Sequence, residues 1–360
     1  MASSNSGTLK QRGGARGPQV LLTHPAPPSQ IDWSGDDRPA QIRFADGATT
    51  TGVCIRCPDA PCLQYRDVEL TIAGLPAFPG DADSRVCPTD AITWPTGGLT
   101  PNISSDACIG CGLCVRRCPV GAIHLSSGLA TIAIETIGPW KEADNPDDAR
   151  TLALADSFRR LPRKGACATA TEVSLQRMHK SLVTVKDKQD AQFPNHLARN
   201  LLIATGHHCA MRRRGDVNIR MDLLIGVQNG AAAVGEVEAD PNAMIDTPRN
   251  ILDDAAIMLA RYKADRATLG AVIVGFGLPN QRSEYWQIIE DIAAVTGLKI
   301  DTVTVGAMIM AVWAGKTLPG LACGAFFTGS SRTIRPALEN VLGQEVTLSA
   351  GFLGILESQK

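Results

Sequence analysis

Three hundred and sixty residues, 44% of them apolar, are enough for two domains with a sizeable core. A formal net charge of −1 implies no global attraction to nucleic acid or membrane, and 4% aromatic content argues against a single-strand binder built on base stacking. Met1 to Gly17 lacks the apolar core of a secretory signal, and the longest apolar stretch, Val305 to Gly315, is too short to span a bilayer, so a soluble cytoplasmic protein is expected.

In chain order, residues 1–40 are rich in Gly, Pro, Ser and charge and read as a disordered tail. Residues 41–135 hold eight of the eleven cysteines in two runs. The first is Cys54-x2-Cys57-x4-Cys62, then 24 residues, then Cys87-Pro88-Thr89-Asp90-Ala91-Ile92. The second is Cys108-x2-Cys111-x2-Cys114-x3-Cys118-Pro119, followed by Val120-Gly121-Ala122-Ile123. Eight thiolates so spaced are a ligand set for two [4Fe–4S] clusters, each of which takes four soft sulfur donors. All-cysteine zinc also uses Cys-x2-Cys pairs, but the Cys-Pro-x-x-Ala-Ile phrase recurring 31 residues on favours clusters. Such spacing, with Cys167, Cys209 and Cys323 left over, fits a reducing compartment rather than disulfides.

The second run resembles the signature of bacterial two-cluster ferredoxins. The resemblance implies a ferredoxin-like α+β module in which Cys54, Cys57, Cys62 and Cys118 hold one cluster and Cys87, Cys108, Cys111 and Cys114 the other. The x4 spacing before Cys62 is similar to a variant found in iron–sulfur subunits of electron-transfer oxidoreductases, from which the insertion Leu63–Val86 departs. The alternating segment Leu129 to Ile134 closes the module as a strand.

Residues 136–165, with Pro146 and four acidic residues between Lys141 and Arg150, read as a linker, and residues 166–360 as an α/β domain. Phe193–Gly206 has a helical pattern; Asn218–Val227 and Ala231–Ala239 read as strands around the turn signal Asn229-Gly230. Thr247-Pro248 starts a helix, with Thr247 as hydroxyl N-cap, running to about Tyr262. Leu269–Phe276 is an apolar strand, Ser283–Thr296 an amphipathic helix, Ile300–Met310 another buried strand and Arg335–Leu342 a helix. That order suggests one mixed sheet with helices on both faces.

Three acids sit in the apolar strands: Asp222, Glu236 and Glu238. Carboxylates there are costly to bury unless paired or bound to a cation. Alternation puts Glu236 and Glu238 on one face. A two-residue Asn229-Gly230 turn sets Asp222 opposite Val237, facing away; a three-residue turn with Gly230 left-handed sets it opposite Glu236, and the sequence permits both. An exposed edge strand, with Asp222 paired to Arg220 or Arg214, is the alternative. Arg212-Arg213-Arg214 suits either a phosphate contact or a solvated loop, and His207-His208-Cys209 reads as a loop, since adjacent residues do not converge on a metal.

An Asp on one strand and Glu-x-Lys on the next resembles the restriction-endonuclease-like nuclease superfamily, here with Glu238 in the lysine position. The resemblance implies Mg²⁺ on Asp222 and Glu236, a catalytic set of Asp222, Glu236 and Glu238 with Lys263 available nearby, and DNA as substrate in defence or repair. The alternative is a ferredoxin-type electron-transfer component whose α/β domain docks a redox partner protein. Gly275-x-Gly277 runs into Pro279 without a third glycine, so a dinucleotide site is not expected.

Overall fold

The computed structural model describes residues 60–72, 78, 80–94, 101–118, 122–126, 129–132, 166–215, 220–226 and 232–360. The cysteine-rich region contains helix α1 (Asp67–Leu70), strands β1 (Ile92–Thr93) and β2 (Asn102–Ile103), helix α2 (Leu113–Arg117), and strands β3 (Ile123–Ser126) and β4 (Leu129–Ile132). β1 pairs antiparallel with β2, and β3 with β4. Each hairpin begins five residues after a Cys-Pro, so the repeated phrase in the sequence becomes a repeated structural unit.

The α/β domain follows with α3 (Glu172–Lys186), α4 (Phe193–Ala204), β5 (His208–Met211), β6 (Leu223–Gly226), β7 (Ala232–Glu238), α5 (Thr247–Ala260), β8 (Gly270–Gly275), α6 (Tyr285–Thr296), β9 (Ile300–Thr304), α7 (Val305–Ala314) and α8 (Arg335–Leu342). The five strands lie in sequence order, β5-β6-β7-β8-β9. The first three are antiparallel, and the β7–β8 and β8–β9 pairs are parallel. Parallel neighbours need crossover helices, supplied by α5 and α6. Every residue of β8 and β9 is buried, the continuous apolar run expected of strands covered on both faces. The mixed α/β sheet therefore agrees with the sequence-based expectation, although no nuclease fold follows from it.

Several local expectations are corrected. The apolar run after Ile300 is a strand only as far as Thr304; Val305 to Ala314 is a helix, not the continuation of a strand. Thr304 caps it, accepting from the Ala307 amide at 3.1 Å, and because the helix is buried all round it has no amphipathic period to betray it. His208 to Met211 is an edge strand rather than a loop. Thr247 lies inside its helix, with Asp246 at the cap position, and its hydroxyl donates to the Met244 carbonyl. α3 had no counterpart in the sequence reading; its cap, Thr171 accepting from Ser174, is a local signal that could have found it.

The insertion Leu63–Val86 has a definite place. Its base is closed by the Gln64–Arg85 bridge, and its far arm bridges Gly80 to Arg212 and gives the Asp81 amide to the Met211 carbonyl at 2.7 Å. It thereby pairs with the Met211 end of the outer edge of β5. Asn200 of α4 donates to the carbonyls of Arg85 and Val86 at 2.8 and 3.0 Å. The fully buried Arg199 guanidinium is satisfied by the Asp83 carbonyl at 2.6 Å and Asn200 Oδ1 at 2.9 Å. Val86, Ile109 and Leu113 join one apolar core with the sheet residues, so the cysteine-rich region and the α/β domain are packed as one body. No helix among the described residues is long and apolar enough to cross a membrane.

Candidate cluster site and the buried acids

Cys87, Cys108, Cys111 and Cys114 line one pocket, together with Ile92, Ile103, Ile109 and Ala130. The first of these cysteines comes from the turn before β1 and the other three from the loop leading into α2. Positive φ at Gly110 (70°) and Gly112 (83°) lets that loop wrap inward without the strain a side chain would bring. Amides are aimed at the sulfurs: Ala91 donates to Cys87 at 3.2 Å and Ala130 to Cys108 at 3.4 Å. The Gly110 amide also favours the Cys108 thiolate, and the Leu113 amide that of Cys111.

Burial pushes the thiols of Cys108, Cys111 and Cys114 upward, and the neighbouring sulfurs add to the shift. Four thiolates in an apolar cavity repel one another unless cationic metal shares their charge. The donor set is therefore soft, gathered round one apolar pocket and met by N–H groups, which suits a polynuclear iron–sulfur cluster.

Cys62 and Cys118 pack in the same apolar cluster as this site. The Ala122 amide donates to Cys118 at 3.2 Å, the counterpart of the Ala91 bond to Cys87. Arg117 steadies the chain around Cys62: its Nε donates to the Pro61 carbonyl at 2.6 Å and its Nη2 to the Gln64 carbonyl at 3.2 Å. Cys54 and Cys57 lie outside the described residues.

The acids form a separate site. β6 and β7 pair Leu223 with Gly235 and Leu224 with Val234, the register that carries Asp222 to Glu236. The turn itself, including Gly230, lies outside the described residues. Asp222 accepts from the Val237 amide at 3.1 Å and from Asn195 of α4 at 2.9 Å. Its basic neighbour is Arg212, at 3.8 Å, rather than Arg214 or Arg220, which face Asp190 and Asp253.

The third carboxyl group bound into this cluster is Asp254 of α5, not Glu238, whose carboxylate turns to the Asp240 amide at 2.9 Å. Asp254 was missed because nothing in the pattern of its helix, which starts nine residues after β7, shows which of its acids turns to the sheet. Burial, then the charges of Asp222 and Asp254, push Glu236 up to about 9, and burial pushes Asp254 up to about 6. Glu236 and Asp254 therefore share a hydrogen-bonded proton near neutral pH. Lys263 stands beyond the end of α5 with its ammonium on the Ala260 carbonyl, so it does not serve the acids. Among the described residues, no three His, Cys, Asp or Glu side chains are grouped as a single metal ion would require.

With this geometry in view, the protein class is that of an iron–sulfur protein with a ferredoxin-type region. Residues 101–124 match the family described as a 4Fe-4S binding domain, and the chain binds such a cluster through the Cys108–Cys118 motif. Over 91 residues it is 29% identical to an uncharacterized ferredoxin of Methanocaldococcus jannaschii, covering 25% of this chain and 44% of that one. A second uncharacterized ferredoxin of that organism is 36% identical over 82 residues, covering 23% and 36%. The arsenate respiratory reductase iron–sulfur subunit of a Shewanella species is 26% identical over 144 residues, covering 39% and 48%. The chain thus spans less than half the length of each of these relatives. No solved structure matches it.

Proposed function

We propose that this protein is an electron-transfer component carrying two [4Fe–4S] clusters, one held by Cys87, Cys108, Cys111 and Cys114 and the other by Cys54, Cys57, Cys62 and Cys118. The observation that carries the reading is the matched pair of Cys-Pro turns, in which Ala91 and Ala122 each place an amide 3.2 Å from the sulfur four residues earlier. A ligand turn built twice calls for two clusters, whereas a structural role is met by one. Clusters held by these cysteines would supply one-electron redox chemistry. The chain's own part is to hold the thiolates in an apolar cavity, aim N–H donors at them and exclude water. The α/β domain then serves as the platform that docks a redox partner protein; the likeness to an iron–sulfur subunit of a respiratory reductase supports this reading.

The test is anaerobic purification with iron analysis, expected to give about eight irons per chain. Dithionite-reduced protein should then pass electrons to an oxidised viologen dye or a flavodoxin. A colourless zinc protein would end this reading.

A second reading is a Mg²⁺-dependent endonuclease using Asp222, Glu236 and Glu238 on DNA. The register that carries Asp222 to Glu236 favours it, while the proton shared between Glu236 and Asp254 already relieves the repulsion a cation would otherwise relieve. Plasmid cleavage with Mg²⁺ that is abolished by Asp222→Ala, with both clusters retained, would establish it.

A further inference from the structure

Trp313 lies at the end of α7, in the α/β domain, yet its contacts are with the cluster loop. Its indole is 3% exposed and donates its N–H to the Gly110 carbonyl at 3.1 Å. The ring also lies against Gly112, where an added Cβ would stand 3.1 Å from Trp313 Cδ1. The Trp313 backbone is itself anchored, since its carbonyl accepts from the Cys167 amide at 2.7 Å.

The chemistry follows from the peptide plane. The Gly110 carbonyl and the Cys111 amide belong to one rigid trans unit and point in opposite directions. Holding the oxygen therefore fixes the direction of the N–H within the loop between Cys108 and Cys111 that lines the cluster pocket. A hydrogen bond on the oxygen also polarises the amide and makes it a better donor. On its other side, the Gly110 amide favours the Cys108 thiolate. One indole thus governs the orientation of a peptide in the pocket-lining ligand loop, from a helix more than 200 residues away in sequence.

We propose that Trp313 is a positioning residue that sets the reduction potential of the cluster held by Cys87, Cys108, Cys111 and Cys114. The proposal rests on the ligand set of the electron-transfer reading. N–H donation withdraws electron density from thiolate sulfur and stabilises the more negative, reduced state, so weakening the donor moves the potential down. By this device the α/β domain tunes one cluster and leaves the other alone.

The experiment is an EPR-monitored redox titration of the full chain, purified anaerobically. Trp313→Phe keeps an aromatic ring but loses the N–H; it should retain the wild-type iron content and shift one midpoint to a more negative value, with the other unmoved. Trp313→His, which restores a ring N–H, should move that midpoint back. Trp286→Phe removes a comparable buried bond, 3.0 Å to the Asn280 carbonyl, and should leave both midpoints in place. Unmoved midpoints in Trp313→Phe at full iron content overturn the proposal, as does an equal shift in Trp286→Phe. If Trp313→Phe loses iron, wild-type protein grown on 5-fluorotryptophan decides instead: its stronger indole donor should raise the same midpoint, and no movement overturns the proposal. Absence of iron from the wild type would refute the ligand set itself, a separate failure.

Discussion

The guanidinium of Arg117 sits 4.2 Å above the ring of Tyr65. The same group forms hydrogen bonds to both oxygens of Glu69, at 2.7 and 3.1 Å, and to the carbonyls of Pro61 and Gln64. Arg117 immediately precedes Cys118 in sequence, so one side chain ties a ligand turn to the start of the insertion. Arg117→Met should cost roughly 3 kcal/mol of stability, because it leaves Glu69 only the Arg66 amide and guanidinium, frees the Pro61 and Gln64 carbonyls and removes the cation–π contact. Denaturant unfolding of the anaerobic protein measures this, and a loss under about 1 kcal/mol would show the network to be dispensable.

Asn200 is one of the residues that fasten the insertion to the α/β domain, beside Arg199 and the Asp81–Met211 bond. Its amide serves the Arg85 and Val86 carbonyls, and Asn200→Ala leaves these without that donor. A loss of roughly 2–3 kcal/mol is expected for two buried acceptors so affected. Hydrogen exchange should show faster opening across 63–86, while β8 and β9 keep their protection.

Crossed ligation gives a pairwise prediction. Cys87→Ser and Cys111→Ser should remove the same cluster and leave one identical EPR signal, with about four irons lost in each case. Cys118→Ser should remove the other. Different residual signals from Cys87→Ser and Cys111→Ser would contradict the shared cavity.

The shared proton makes stability depend on pH. Glu236, raised from an ordinary 4.5 to about 9 in the folded chain, binds its proton more tightly when folded than when unfolded. Its contribution is therefore fully present below about pH 4.5 and is lost as pH rises toward 9. Stability should fall between pH 5 and 9 with a slope of at most about 1.4 kcal/mol per pH unit from this group. Glu236→Gln should flatten that slope in urea titrations, and an unchanged slope would place the proton elsewhere.

The sequence alone determined the cluster chemistry, because sulfur spacing over a few residues is local and few other ligands tolerate it. Strand and helix order in the α/β domain was also readable, since β7, α5, β8 and α6 each carry their own period or caps. The hairpin register was left open between two turns, and the Leu223–Gly235 pairing decided it. Tertiary structure alone decided the rest. Val305–Ala314 is apolar on every side, so only its packing distinguishes a buried helix from a buried strand. Asp254 reaches Glu236 from the crossover helix, and Trp313 reaches Gly110 from the far end of the sheet. Such pairs come from parts of the chain whose local patterns are independent of each other; the folded core brings them together, because burying both apolar faces at once leaves their polar groups no other partners.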